Sequence, residues 1–497
     1  MTSSTIGNLR VAIVGAGPAG IYAGNILANS VKALRQAQGP DGELAAGPDS
    51  AVAIDLFESL PAPYGLIRYG VAPDHPRIKG IVTSLHEMLD ASAELSTGAP
   101  LDERRRSIRF IGNVEVGRDI ALDELQERYD AVILATGAIR DATLDIPGID
   151  LPGSYGAADF VAWFDGHPDV PTDWSLDASQ VAVIGNGNVA LDVARILAKH
   201  PEDLRSTEIP DNVLAGLDAS AVTDVHVFGR RGPGDIKFTP IELRELGEIP
   251  NVDIVVHDED FAHADPASAP NNQLKVMLRI LNSWRTRERT EATRRLHLHF
   301  YHSPVEVLGD GRVEGLRFER TEPTGDGGER GTSVQGTGEF REFPVQQVYR
   351  AVGYYGTPVV DAPFDDARGV IPNVEGRVTD PTSAPSAAPV TGLYATGWIK
   401  RGPVGLIGHT KSDAMETIAH LVSDVTEGRL TAPVVDGDVL DLLDEREVAY
   451  TTWDGWLALD AHERELGANH RHTRERVKVV PRDEQVAISR SGALIRS

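Results

Sequence analysis

Apolar positions in this chain gather in short runs that end abruptly at glycine. Val11-Ala12-Ile13-Val14 stops at Gly15-Ala16-Gly17-Pro18-Ala19-Gly20, and a small-residue, helix-compatible stretch follows to Leu27. The run is short and suits a strand buried on both faces, so the pattern predicts strand, glycine turn and helix. In that arrangement Gly15 makes the tight turn, Gly17 lets backbone approach a pyrophosphate, and Gly20 lets helix and strand pack closely. The design returns after Gln180, where Val181-Ala182-Val183-Ile184 leads into Gly185-Asn186-Gly187-Asn188-Val189-Ala190, with alanine in the third glycine's place. Each turn offers free helix N–H groups and a positive dipole end to a phosphate.

Further runs fill out two units of this kind. Residues 51–57, 130–138 and 225–228 read as strands, and residues 348–356 as a strand ending that crosses back to the first unit. Ala135-Thr136-Gly137 and Ala395-Thr396-Gly397 end their strands in small residues, which lets the chain pass close to a cofactor. Residues 78–93 and 238–246 read as helices, 108–116 as a strand-like pair, and 309–338 as a hairpin with a loop. The Gly/Pro/Ala-rich residues 36–50 read as a surface loop. Residues 60–79 are too rich in proline and glycine for regular structure yet too apolar to lie free in solvent, so they are expected to pack on something, a ligand among the candidates. From Val435 onward an amphipathic helix is expected, then an extended basic–acidic tail. One motif used twice predicts two dinucleotides, one per domain, with residues 1–142 and 355–497 forming one domain around an inserted domain of residues 143–354.

Composition then narrows the chemistry. A chain of 497 residues, 41% hydrophobic and 25% charged, is ordinary globular material for two or three domains. No apolar run approaches the roughly 18 residues of a membrane span, and the first strand begins almost at once, so no secretory signal is expected and the expected location is cytoplasmic. Zero cysteines exclude a disulfide framework, a thiolate zinc site, a protein-ligated iron–sulfur cluster and a CxxC redox centre. Redox chemistry must therefore sit in a bound cofactor, and no metal site is expected. A net charge of −26 argues against non-specific nucleic-acid binding.

Charge placement separates the two glycine turns. Glu58 follows the second strand of the first unit, where an acid accepts hydrogen bonds from an adenosine ribose. After the corresponding strand of the second unit stand Gly229-Arg230-Arg231-Gly232-Pro233, with no acid. Arginines at that position grip a 2′-phosphate. The first site thus suits the ADP half of FAD and the second suits NADP. His75, between Asp74 and Pro76, reads by itself sooner as a structural histidine than as a catalytic one.

These motifs, in this order, resemble the adrenodoxin-reductase type of ferredoxin–NADP reductase, including its actinobacterial members. The resemblance covers nearly the whole chain: GAGPAG from Gly15, FESLPAPYGLIRYGVAPDHPRIK from Phe57, GNGNVALDVARIL from Gly185, GRRGP from Gly229 and GWIKRGPVGLIG from Gly397. It implies an α/β fold of two Rossmann-like domains, the FAD domain carrying an inserted NADP domain, in a glutathione-reductase-like architecture. By the resemblance Ala19, Glu58, Leu66, Val116, Trp398 and the Gly405-Leu406-Ile407 turn contact FAD. Gly187, Asn188, Val189, Arg230, Arg231 and Glu242 bind NADP, and Gly405 meets both cofactors. The counterparts of His75 and Asp192 lie together by the flavin, where a proton relay or a positioning role is implied. Three departures are a longer connection between Asn29 and Ser50, Lys237, where relatives carry a small residue, and Val404 in place of threonine.

The resulting expectation is an FAD-dependent enzyme in which NADPH gives hydride to the flavin and a ferredoxin takes single electrons, acting as a monomer. An acidic ferredoxin needs a local basic face on this acidic chain, for which Arg244, Arg285, Arg289, Lys400 and Arg401 are the candidates. The alternatives are an NADPH-dependent flavin monooxygenase, a glutamate-synthase small-subunit-like electron-transfer flavoprotein, and a non-enzymatic NADP-binding sensor.

Overall fold

Two separate parallel sheets are built from the apolar runs, as a computed structural model of the chain shows; it describes residues 8–36, 51–93, 107–262, 264, 266–324, 332–382, 388–403 and 407–493. The first sheet has Asn8–Val14 near its centre, parallel to Ala51–Phe57 on one side and Ala131–Leu134 on the other. Ser107–Gly112 and Ala388–Ala395 extend it in parallel, and short antiparallel strands close both edges. The second sheet is parallel throughout, in the spatial order Ser154–Gly156, Gln347–Arg350, Gln180–Ile184, Asp224–Phe228, Arg294–His299, Val252–Val256.

Burial explains why these strands are continuously apolar rather than alternating. Val11 and Ile13 enter one core with the helix Pro18–Gln36, while Ala12 and Val14 enter another on the opposite face. In the second sheet Val181 and Val183 face the helices, and Ala182 and Ile184 face an antiparallel meander of His302–Leu308, Gly315–Pro323 and Val334–Phe343. Successive side chains point to opposite faces, so a strand covered on both must be apolar at every position. Where the chain passes between the sheets, Arg140–Asp141 pairs antiparallel with Tyr354–Tyr355.

Several expectations need correction. Residues 60–79 contain two single-turn helices, Leu66–Tyr69 and Pro76–Lys79. Residues 108–116 supply one strand, Ser107–Gly112, with Val116 in an isolated bridge to Ile120. Of the docking candidates, Arg285 ends the helix Asn272–Arg285 and Arg289 lies between that helix and the strand Arg294–His299. The largest miss is the C-terminal region, which holds three helices, Val439–Glu445, Trp453–Asn469 and Arg482–Ala493, in place of a helix and a tail. Trp453 and Trp456 are buried in the first core. Arg474 and Lys478 are buried too, because Arg474 reaches Asp211 at 2.9 Å and the carbonyl of Ile209 at 2.8 Å, while Lys478 donates to the carbonyls of Arg68 and Asp165. Charges that read as solvated are internal ties between the two halves of the molecule. Most of the 36–50 loop, and the tip of the 309–338 hairpin at 325–331, lie outside the described residues.

Candidate functional site

The first glycine turn is shaped by three distinct constraints. Gly15 has φ +109°, and a Cβ there would stand 2.5 Å from the Ala135 carbonyl oxygen. At Gly20 a Cβ would stand 2.0 Å from the Gly15 carbonyl oxygen, so both positions demand glycine for protein packing alone. Gly17 differs: its added Cβ would meet nothing nearer than Gly65 Cα at 4.0 Å. The turn is closed from above by residues 60–79, with the Tyr64 N–H donating to the Ala16 carbonyl at 2.8 Å. Glu58 is buried at the end of its strand. Its Oε2 accepts from Ala16 N–H at 2.8 Å and its Oε1 from Leu60 N–H at 3.2 Å. Burial pushes this carboxyl up, and those hydrogen bonds pull part of the way back.

The two Ala-Thr-Gly endings converge on this turn. Ala135 packs on Gly15, and a Cβ on Gly397 (φ +74°) would stand 2.6 Å from Ala19 Cβ. Trp398 opens a short helix there, and Asp413 Oδ2 accepts the Gly397 N–H at 2.6 Å. The hydroxyls of Thr136 and Thr396 are both buried and have no hydrogen-bond partner. Two orphaned hydroxyls, an open glycine edge and a helix N-terminus are the donor set that a flavin dinucleotide uses, so the residues present fit FAD. Leu66 is half-buried and opens the helix Leu66–Tyr69, and Val116 is half-buried. Gly405 and Leu406 lie outside the described residues, and of Ile407 only its place at the head of the helix Ile407–Thr426 is described.

The second turn repeats the pattern with different surroundings. A Cβ on Gly185 (φ +147°) would stand 2.2 Å from the Ala351 carbonyl oxygen, whereas Gly187 has no atom within 4 Å of its added Cβ. Gly187 caps the helix Asn188–Ala198 without a side-chain bond, and Asn188 Oδ1 is buried and unpartnered. Val189 packs partly buried against the neighbouring core. The arginine turn is braced by backbone: Gly229 N–H donates to the His299 carbonyl at 2.8 Å, Tyr301 N–H to that of Arg231 at 3.2 Å, and the Thr321 hydroxyl to that of Arg230 at 2.7 Å. Arg230 is exposed, and half-buried Arg231 spends one N–H on the Thr332 carbonyl at 3.0 Å. Glu242 has a structural duty in a capping box, taking the Thr239 N–H at 2.8 Å at the start of the helix Pro240–Gly247.

Between the turns lies a chain of charges. His75 Nε2 is 3.1 Å from Asp192 Oδ1, and His75 Nδ1 is 3.3 Å from Glu245 Oε2. Arg195, fully buried, binds Asp192 at 2.7 Å and both oxygens of Asp74 at 2.7 and 2.9 Å, and Lys199 adds a bond to Asp74 at 2.6 Å. Burial alone would push Asp74 up, but the two cations outweigh it and hold its carboxyl well below the usual range. Sequence reasoning placed Glu245 on a helix but gave it no role. The only signal was its spacing three residues beyond Glu242.

The five proposed docking cations differ in burial and in partners. Lys400 is buried, with Asp413 Oδ1 at 3.0 Å and Glu416 also paired to it, so it is an internal ion and not a docking residue. Arg401 reaches Asp413 at 3.4 Å. Arg285 is tied to Asp258 at 2.8 Å and lies over the Phe261 ring. Arg244 and Arg289 are exposed.

A parallel-sheet pair carrying two glycine turns, one ended by an acid and one by arginines, defines a flavin- and pyridine-nucleotide-dependent oxidoreductase. Residues 9–226 match the pyridine nucleotide-disulphide oxidoreductase family. The chain is 40% identical over 489 residues to the NADPH-ferredoxin reductase FprA of Mycobacterium tuberculosis H37Rv, covering 96% of this chain and 98% of that one. It is 35% identical over 485 residues to the mitochondrial NADPH:adrenodoxin oxidoreductase of Arabidopsis thaliana, covering 94% and 93%. The solved structure of Mycobacterium tuberculosis FprA in complex with NADPH matches it with TM-score 0.84 and 38% identity, covering 97% and 99%. The chain belongs to the NADPH–ferredoxin reductase family.

Proposed function

We propose that this protein is an FAD-dependent NADPH–ferredoxin reductase. When bound, FAD takes a hydride from NADPH and releases electrons singly to a ferredoxin. The observation that carries the reading is the contrast at the two second-strand ends: Glu58 at one, Arg230 and Arg231 at the other. Gly15, Gly17, Ala19, Gly20 and Glu58 hold the FAD diphosphate and ribose, with Leu66, Val116, Trp398 and the 405–407 turn against the rest of the molecule. Gly185, Gly187, Asn188, Val189 and Glu242 seat the NADPH diphosphate side, and the arginines select its 2′-phosphate. His75 and Asp192 set the orientation of the nicotinamide end and hold a proton between them, with Glu245 as the outer partner.

In this reading residues 1–142 and 355–497 form the FAD domain and 143–354 the NADP domain; the pairing of Arg140–Asp141 with Tyr354–Tyr355 supports that division. The exposed Arg244 and Arg289 supply positive charge for an acidic ferredoxin. The reading takes the protein as a cytoplasmic monomer; no helix among the described residues is long and apolar enough to cross a membrane. The test is the purified protein's flavin content and its NADPH-dependent reduction of a ferredoxin. A protein that carries FAD but hydroxylates an organic substrate without passing electrons to ferredoxin would overturn the reading.

A further inference from the structure

Three histidines of the second sheet stand on one face, where the chemistry proposed above does not use them. His226 and His297 are direct neighbours in register on adjacent parallel strands, and His299 follows His297 by two residues. One ligand nitrogen from each lies within 4.8 Å of the other two. His226 Nδ1 is 3.0 Å from His299 Nε2. Two Zn–N bonds of about 2.0–2.1 Å at a tetrahedral angle separate their nitrogens by roughly 3.3 Å, close to that spacing.

On His297 and His226 the outer nitrogens already have oxygen partners of the kind that metal-bound imidazoles use. His297 Nε2 meets Asp224 Oδ1 at 2.9 Å, and Arg295 grips the same carboxylate at 2.6 and 2.9 Å. His226 Nε2 meets Gln180 Oε1 at 3.3 Å. A carboxylate or amide oxygen on the far nitrogen fixes the ring and makes the near nitrogen a better ligand. A fourth ring, His257, stacks on His299 with centroids 4.5 Å apart, and its Nε2 is buried with no partner. His297 and His257 are only partly buried, which leaves a way in for an ion.

We propose that His226, His297 and His299 bind one borderline divalent cation of the Zn²⁺ class. An imidazole-only donor set selects such ions over Mg²⁺ and Ca²⁺, which take oxygen ligands. The ion ties two strands of the second sheet together directly beneath the arginine turn, since Gly229 bonds through its N–H to the His299 carbonyl and through its carbonyl to the His302 N–H.

The test is calorimetric titration of Zn²⁺ into the untagged, flavin-loaded protein after chelator treatment. One saturable site per chain is expected, with Mg²⁺ giving none. His226→Gln and His299→Gln should each weaken binding at least tenfold, while His200→Gln, elsewhere in the same domain, should leave it unchanged. X-ray absorption at the zinc edge on the unsubstituted protein should show an all-nitrogen/oxygen shell with imidazole scattering, which keeps the proposal testable if a variant fails to fold. No saturable site, equal binding in the variants, or a shell without imidazole would overturn it. None of these readouts depends on reductase activity.

Discussion

His75, in the covering loop of the first sheet's turn, places its Nε2 3.1 Å from Oδ1 of Asp192, on the first helix of the second unit. The contact bridges the two halves of the molecule, and Arg195 anchors its far end by binding Asp192 and Asp74 together. Asp192→Asn keeps the shape and removes the charge. It should slow flavin reduction by NADPH about tenfold, below the 10²–10⁴ of a dedicated acid–base group, and leave the flavin spectrum unchanged. Rapid-mixing absorbance would show this, and an unchanged rate would assign the pair a structural role only.

Arg230 and Arg231 carry the coenzyme choice. Each charged hydrogen bond to a phosphate is worth about 1.5–3 kcal/mol, so replacing both by alanine should cut the NADPH-over-NADH ratio of kcat/KM by roughly 10²–10⁴. The loss should fall on NADPH and spare NADH. Arg230→Ala should cost the larger share, since Arg231 already spends a donor on Thr332. Steady-state kinetics with both coenzymes measures the split.

Partner docking separates Arg244 from Lys400. Arg244→Glu should raise the KM for an acidic ferredoxin several-fold at low salt, an effect that fades as ionic strength rises. Lys400→Met should instead destabilise the fold by about 1.5–3 kcal/mol, the worth of a charged hydrogen bond, because buried Asp413 loses its ammonium partner and keeps only the longer ion pair to Arg401, while Glu416 is exposed and loses little. Ferredoxin titrations at two salt concentrations, with thermal melts of both variants, resolve the two roles.

Asp141 lies where the chain crosses between the sheets, and burial pushes its carboxyl up to about 6, with Ala158 N–H opposing and Asp159 adding to the rise. A carboxyl whose value is raised on folding stabilises the native state in its protonated form. That contribution is complete below the unfolded value of about 3.9 and is lost as pH rises through 6. Asp141→Asn should therefore gain about 1–2 kcal/mol relative to the parent at pH 8 and little at pH 4, allowing for partial exposure. Denaturant melts at the two pH values check the sign.

Much of this was legible from sequence, for identifiable reasons. Gly15 and Gly185 take positive φ and Gly20 lies against the Gly15 carbonyl, demands set within the turn itself, so a strand–glycine–helix pattern reveals them without tertiary information. Glu58, Arg230 and Arg231 follow strands at set positions in the same unit. What the pattern hid is what only folding brings together. Lys400, Arg474 and Lys478 read as solvated charges but are buried against acids and carbonyls distant in sequence. Glu245 meets His75 across 170 positions, and His226 meets His297 across parallel strands joined by a long crossover. Neither spacing marks a motif.

The central claim is hydride transfer from NADPH in particular to a flavin held by the first turn. Anaerobic rapid mixing of the purified protein with NADPH, and separately with NADH, tests it in one experiment. The account predicts a yellow protein whose flavin absorbance bleaches far faster with NADPH than with NADH. A colourless protein, or equal rates with the two coenzymes, would contradict it.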